Sequence, residues 1–336
     1  MIRRLFALIP CGLLLASGLA AQKLKVLDFS RLGHESFLRL QAAVPQIDLI
    51  EGDRSKMAAQ LSDADAVIGP FDIKLLGAAP KLKWIQSESA GVENFTFLPG
   101  FAQNKIVLTN NKILQGPEIA DHALGLLLAL TRGIATAARG GSEDWNQRSF
   151  HPIELRGKTA VIVGVGGIGT QIALRLNAFG MTVIGVDPKD IPYNTYLAQT
   201  IPPDRLDSVL PRADVVFISA PLTTQSRKMM GGREFDLMKP GAYFIAVSRG
   251  GLYDTDALVK ALDARKLAGA GLDVTDPEPL PKGHPLWKFP NVVVTPHIAG
   301  RSDGENARYE ALYLENLKRF ASGEPLLNVV DKEKGY

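Results

Sequence analysis

Three side chains in this chain have types and surroundings suited to anion binding and proton transfer. Arg249 follows the apolar run Tyr243–Val247. His297 sits in Thr295-Pro296-His297-Ile298 after the run Val292–Val294, and Glu278 stands in Asp276-Pro277-Glu278-Pro279. A guanidinium can hold a carboxylate through paired hydrogen bonds and polarise the carbonyl beside it. An imidazole changes charge near neutral pH, so it can give and take the proton of an alcohol. A carboxylate neighbour fixes the tautomer of that imidazole and favours its protonated form. Besides a cofactor, hydride transfer to the 2-carbon of a 2-keto acid needs these three groups. Taken singly, each has a plainer reading: an Arg is usually a solvated surface charge, a Glu between prolines a loop residue, and one His of five a hydrogen-bonded loop residue.

The cofactor signal is more specific. Gly164-Val165-Gly166-Gly167-Ile168-Gly169 matches G-x-G-x-x-G, a pattern that is weak alone. Here the β-branched run Thr159–Val163 precedes it, a helical stretch (Ile172 to Phe179) follows, and Asp187 closes the next strand 18 residues after Gly169. Gly164 permits the tight turn, Gly166 lets the backbone approach a pyrophosphate, and Gly169 lets helix and strand pack closely. The helix start offers N–H groups to the phosphates. Asp187 suits the hydroxyls of an adenosine ribose and repels a 2′-phosphate, so NAD is expected rather than NADP.

These residues need two sets of elements to position them. Leu24–Phe29, Ala64–Ile68 and Leu82–Gln86 read as short strands alternating with helices, and Asp28 to Gly33 holds a single glycine, so this first region is not the nucleotide binder. A helix is expected from Pro117 to Arg139, ended by Gly140-Gly141. Its centre, Ala123 to Leu130, is apolar nearly all round, which predicts burial against another element or a second subunit. From Lys158 a second alternation runs to about Thr295, through Thr182–Val186, Val215–Ser219, Tyr243–Val247, Ala268–Leu272 and Val292–Val294. A last amphipathic helix spans Glu305 to Phe320 and stops at Gly323. The expected fold class is α/β, with two doubly wound parallel-sheet domains and a cleft between them. One is a flavodoxin-like substrate domain from residues 23–117 completed by 298–336, and the other a Rossmann NAD-binding domain over 118–297.

Three stretches give the chain a family resemblance. Ala246-Val247-Ser248-Arg249-Gly250-Gly251-Leu252-Tyr253-Asp254 resembles N-x-x-R-G-x-x-x-D, Gly271 to Leu280 resembles D-V-x-x-x-E-P, and Thr295 to Gly300 resembles T-P-H-x-x-G. In that order, with 29 residues from Arg249 to Glu278, they resemble the D-isomer-specific 2-hydroxyacid dehydrogenase family across nearly all of residues 24–330. The resemblance implies that Arg249 binds substrate, His297 is the acid/base, Glu278 is its partner, and Asp273 sits by the nicotinamide end of the cofactor. Ser89-Ala90-Gly91-Val92 resembles the S-x-G-x turn, so the Ala90 and Gly91 backbone would face the substrate carboxylate. Ala220-Pro221-Leu222-Thr223 resembles the P-L-T turn on the adenosine and ribose side. With Gly167, Ile168, Val247 and Gly300, these complete the implied cofactor set. Pro117 to His122 stands where the family has a V-A-E helix start, with Asp121 in place of Glu. Ser248 precedes the Arg where Asn is usual. Glu278 stands where formate dehydrogenases carry Gln, which argues against formate. The family usually dimerises through the long helix and the cofactor domain, so a homodimer is expected.

Composition excludes other classes. Of 336 residues 46% are apolar and 22% charged, the formal net charge is +3, and no long basic run suggests nucleic acid. No metal is expected: the chain has no Cys cluster and no HExxH. His122 reads as a packing or interface residue, His151 lacks ligand spacing, and Arg301 reads as a surface charge or a second anion contact. Residues 1–22 have the anatomy of a secretory signal: basic Arg3-Arg4, an apolar stretch from Leu5 to Ala20, then small residues. Export to the periplasm or outside is expected, with no membrane span after cleavage; the protein is cytoplasmic if the signal does not function. Arg3-Arg4-Leu5-Phe6 loosely resembles the twin-arginine signature, although Ile2 stands where Ser or Thr is usual. The competing function is an NAD-binding sensor or co-repressor-like protein with little turnover.

Overall fold

A computed structural model describes residues 23–140 and 150–336; the expected signal segment, residues 1–22, lies outside them. Among the described residues the chain builds two all-parallel sheets. The first is made of β1 (Leu24–Asp28), β2 (Ile47–Glu51), β3 (Ala66–Ile68), β4 (Trp84–Gln86) and β5 (Val107–Thr109), in the order β2-β1-β3-β4-β5. The second contains β6 (Thr159–Val163), β7 (Thr182–Val186), β8 (Gln199–Ile201), β9 (Val215–Ile218), β10 (Ala242–Ala246), β11 (Leu267–Leu272) and β12 (Val292–Val294), in the order β12-β11-β10-β9-β6-β7-β8. Both orders reverse direction once, at β1/β3 and at β6/β9, as doubly wound sheets do.

Burial on both faces explains the continuous apolar strands. Along β6, Val161 and Val163 point into one core while Ala160 and Ile162 point into another. The same alternation holds for Val216 and Ile218 against Val215 and Phe217 of β9. Each such fully buried Val, Ile or Phe side chain contributes roughly 1.5–3 kcal/mol of burial energy. In the first sheet Leu27 and Ile85 face one core, and Val26 and Trp84 face the other. That second core is closed by Tyr309, Leu312, Tyr313 and Leu317 of the last helix, Glu305–Ser322, which ends at left-handed Gly323. The chain therefore returns to its first sheet after finishing the second.

One expected element is corrected. The helix read as continuous from Pro117 to Arg139 is two helices, Gly116–Thr131 and Ile134–Gly140. The break falls at Gly133, whose φ of 71° lies in the left-handed region and cannot continue a right-handed helix. The first helix is buried as expected, and its partner is the chain's own second sheet: Ile119, Ala123, Leu126 and Leu130 share a core with Ala160 and Phe217.

Candidate active site

The carboxyl ends of both sheets face one cavity of about 1000 Å³, and the residues that could do chemistry, Glu278 excepted, lie just past strand ends. Gly164 follows β6, Asp187 follows β7, Arg249 lies three residues past β10, Asp273 follows β11, and His297 lies three past β12. The first sheet contributes the turn after β4, where Ala90 and Gly91 line the cavity opposite Arg249 and His297.

His297 Nδ1 lies 2.6 Å from Glu278 Oε1. A carboxylate can only accept here, so Nδ1 carries the hydrogen and Nε2 is left as the other ring nitrogen. His297 has a φ of 52°, uncommon for a residue with a Cβ. Asp273 holds this turn. Its backbone oxygen accepts from His297 N at 3.0 Å, and its carboxylate accepts from Ile298 N and Ala299 N, each at 3.0 Å. Thr295 Oγ1 donates to the same carboxylate at 2.6 Å, and His122 Nε2 is 2.8 Å from Thr295 Oγ1. Asp273 is 1% exposed, so its charge is held by these donors instead of water.

Arg249 crosses to the other domain. Its Nε donates to Glu93 Oε1 at 2.5 Å, Nη2 donates to Ser89 Oγ at 3.2 Å, and Nη1 donates to its own neighbour, Ser248 O, at 2.8 Å. Three of five guanidinium N–H groups are thus engaged among the described residues, leaving two for a ligand. Gly91 makes the approach possible, since a Cβ there would stand 2.0 Å from Arg249 Nη2. Asn110 Nδ2 pins the turn by donating to Ala90 O at 2.6 Å.

The glycine turn fits a dinucleotide. Gly164 has a φ of 93° and presses on the Ala220 backbone, and a Cβ on Gly169 would meet Gly164 O at 2.0 Å. A Cβ on Gly166 would meet nothing within 4 Å: this is the open space a pyrophosphate needs in front of the helix Gly167–Ala178. Asp187 Oδ2 accepts from Val165 N at 2.8 Å and Oδ1 from Lys189 N at 2.9 Å, which ties the acidic residue to the glycine turn.

Of the site residues expected from sequence, Gly166, Gly167, Ile168, Ala220, Pro221 and Val247 line the cavity, as do Asp273 and Gly300. Gly164, Gly169 and Asp187 stand behind that lining, as does Thr223, whose hydroxyl is paired with Ser226. Glu278 is reached through His297. Arg301 is exposed yet lines the cavity with Arg31, while His151 is exposed in a loop. Ser248 bonds the backbone of Ile218 at 3.2 Å. Asp121 accepts from Arg175 Nε at 2.6 Å, so the shorter acid still ties the long helix to its neighbour. Among the described residues no group of three His, Cys, Asp or Glu could hold a metal, and no helix is long and apolar enough to cross a membrane.

Residues 124–299 match the family model described as D-isomer specific 2-hydroxyacid dehydrogenase, NAD binding domain. The chain belongs to the D-isomer specific 2-hydroxyacid dehydrogenase family. It is an oxidoreductase of that class, and its second sheet belongs to the family's NAD-binding domain. It is 35% identical to a glyoxylate reductase of Thermofilum pendens, over 83% of this chain and 85% of the relative. It is 32% identical to a D-3-phosphoglycerate dehydrogenase of Methanocaldococcus jannaschii, over 89% of this chain and 58% of the relative. Among solved structures, a glyoxylate reductase from Paecilomyes thermophila superposes with a TM-score of 0.80 at 28% identity, covering 93% of this chain and all of that one. An NADPH-dependent glyoxylate/hydroxypyruvate reductase from Sinorhizobium meliloti, in complex with NADP and sulfate, also gives 0.80, at 27% identity over 94% and 100%.

The geometry of this dehydrogenase adds residues that sequence reasoning missed. Glu93 clasps Arg249, and Ser89 helps it. Ser89 opens the S-x-G-x turn, whose resemblance implied only a backbone role, and nothing in the sequence marked Glu93. His122 is a third: it supports the His297 turn through Thr295, and helical position alone suggested only packing.

Proposed function

We propose that this dehydrogenase reduces a small 2-keto acid to the D-2-hydroxy acid with NADH. The observation that carries the reading is the His297–Glu278 pair, 2.6 Å apart, with His297 on the same cavity as Arg249 and the glycine turn. When bound, the nicotinamide supplies the hydride that reduces C2. Arg249 offers its two remaining N–H groups to the substrate carboxylate and carbonyl, and the Ala90 and Gly91 turn faces the carboxylate. As the carbonyl oxygen gains charge, His297 Nε2 gives it a proton while Nδ1 stays hydrogen-bonded to Glu278. The overall change consumes one keto acid, one NADH and one proton. Water exclusion by closure of the two domains would strengthen each of these contacts.

Asp187 supports NAD over NADP, since its carboxylate would sit against a 2′-phosphate. The NADP-bound relative makes the opposite choice a real alternative, and kcat/KM with NADH against NADPH tests it. We also read residues 1–22 as an export signal and the protein as a homodimer. N-terminal sequencing of the fractionated protein and light scattering test these two readings. A panel of 2-keto acids including glyoxylate, hydroxypyruvate and pyruvate tests the reaction. Intact NAD binding without turnover on any of them would favour a sensor.

A further inference from the structure

The segment after Val330 forms a strap rooted on the first sheet. Val330 N donates to Leu108 O at 2.8 Å, and Lys332 Nζ donates to Asn104 O and Ile106 O at 2.6 and 3.1 Å. Asp331 then closes a turn: its carboxylate accepts from Glu333 N and Lys334 N at 3.2 and 3.0 Å, and its carbonyl accepts from Gly335 N at 2.8 Å. Asp331 N donates back to Tyr336 O at 3.1 Å.

This turn carries Tyr336 to the other domain. Lys189 Nζ lies 4.4 Å from the centre of the Tyr336 ring, and Lys189 N is the donor to Asp187 Oδ1. Gly335 lies close to Thr223, in the turn expected on the adenosine side: a Cβ there would be 3.6 Å from the Thr223 methyl. Burial and the nearby Asp187 charge push the Tyr336 phenol up. Tyr336 and Lys189 both line the cavity. Lys189 follows β7, five strand positions from the β12 that carries His297, about 24 Å at the usual strand spacing, and Gly335 also lies by Thr96 of the short helix Glu93–Thr96.

We propose that Tyr336 is a cofactor-contacting residue whose ring forms the first domain's wall of the adenosine pocket. This rests on the dinucleotide reading above. Lys189 Nζ covers one face of the Tyr336 ring; the other face is the platform for a purine, with Asp187 as the ribose acceptor nearby. The dinucleotide is then held between the two domains at its adenosine end as well as at its nicotinamide end. Cofactor binding and approach of the domains become linked through the strap.

The test compares wild type, Tyr336→Ala and Tyr336→Phe by direct binding titration with NADH, ADP-ribose and reduced nicotinamide mononucleotide, which lacks the adenosine half. Tyr336→Ala is expected to weaken NADH and ADP-ribose binding about tenfold, the scale of one lost aromatic–base contact. Tyr336→Phe keeps the face and should bind both as wild type does. Binding of the mononucleotide should be the same in all three. NADH and ADP-ribose affinities that are unchanged or tighter in Tyr336→Ala overturn the proposal, as does an equal loss of mononucleotide binding, which would mark a general distortion. A wild-type protein that binds no NADH defeats the dinucleotide reading itself.

Discussion

Arg249 Nε donates to Glu93 Oε1 at 2.5 Å, joining the strand end of one domain to the short helix Glu93–Thr96 of the other. The pair is partly buried, with side chains 22% and 26% exposed, and it fixes the orientation in which the proposed function has the guanidinium meet a substrate. Gly91 packs directly on it. A methyl at position 91 must displace the guanidinium, so Gly91→Ala should lower kcat/KM for a keto acid by about 10²-fold, the cost of a misplacement near 1 Å. NADH affinity should stay within a factor of about two, because the glycine turn is untouched. Steady-state kinetics with a parallel NADH titration checks both.

Arg249→Lys keeps the charge and loses the planar fork. One lost charge-assisted hydrogen bond corresponds to about a 10- to 100-fold fall in kcat/KM. Glu93→Gln keeps the shape of the clasp and loses its charge, so it should raise KM more than it lowers kcat. A Glu93→Gln protein with wild-type KM would contradict the positioning role.

The Asp273 carboxylate supports the left-handed His297 turn by accepting from two backbone N–H groups and Thr295. Asp273→Asn turns one acceptor into a donor facing donors, which should cost roughly 1.5–3 kcal/mol in stability and lower kcat as well. Thermal melts and kcat read the two effects separately. Thr295→Val removes one donor and should show a smaller version of both.

The pH dependence of stability has a contribution from Glu88, at the cavity rim. Burial raises its carboxyl above the ordinary glutamate range, against the lowering effect of the Arg31 backbone bond and charge. A raised carboxyl binds its proton more tightly in the folded protein than in the unfolded chain. The stability it contributes is therefore present at low pH and lost as pH rises through the raised value. Glu88→Gln, which cannot ionise, should melt higher than wild type at neutral pH, and the difference should close as pH falls toward about 4.

Much of this arrangement was legible in the sequence, for physical reasons. Strands buried on both faces are unbroken apolar runs, so β6, β7, β9 and β10 announce themselves. The strands left unread, Ile47–Glu51, Val107–Thr109 and Gln199–Ile201, all lie at sheet edges, where short length and polar residues such as Asp48 and Gln199 blur the pattern. The break at Gly133 was hidden because the apolar pattern runs on past a single glycine. Arg249, Glu278 and His297 could be found because each follows a recognisable strand or motif. Glu93 and Tyr336 could not, because their importance comes from contacts made across the cleft by residues 156 and 147 positions away in Arg249 and Lys189.

The account turns on His297 as the proton donor to the reduced carbonyl. The direct measurement is NADH oxidation by wild type and His297→Gln across glyoxylate, hydroxypyruvate and pyruvate, with NADH affinity measured alongside. The account predicts turnover of at least one of these acids by wild type, a kcat about 10²- to 10⁴-fold lower in His297→Gln, and unchanged NADH affinity. A His297→Gln protein that reduces the same acid at the wild-type rate would contradict it.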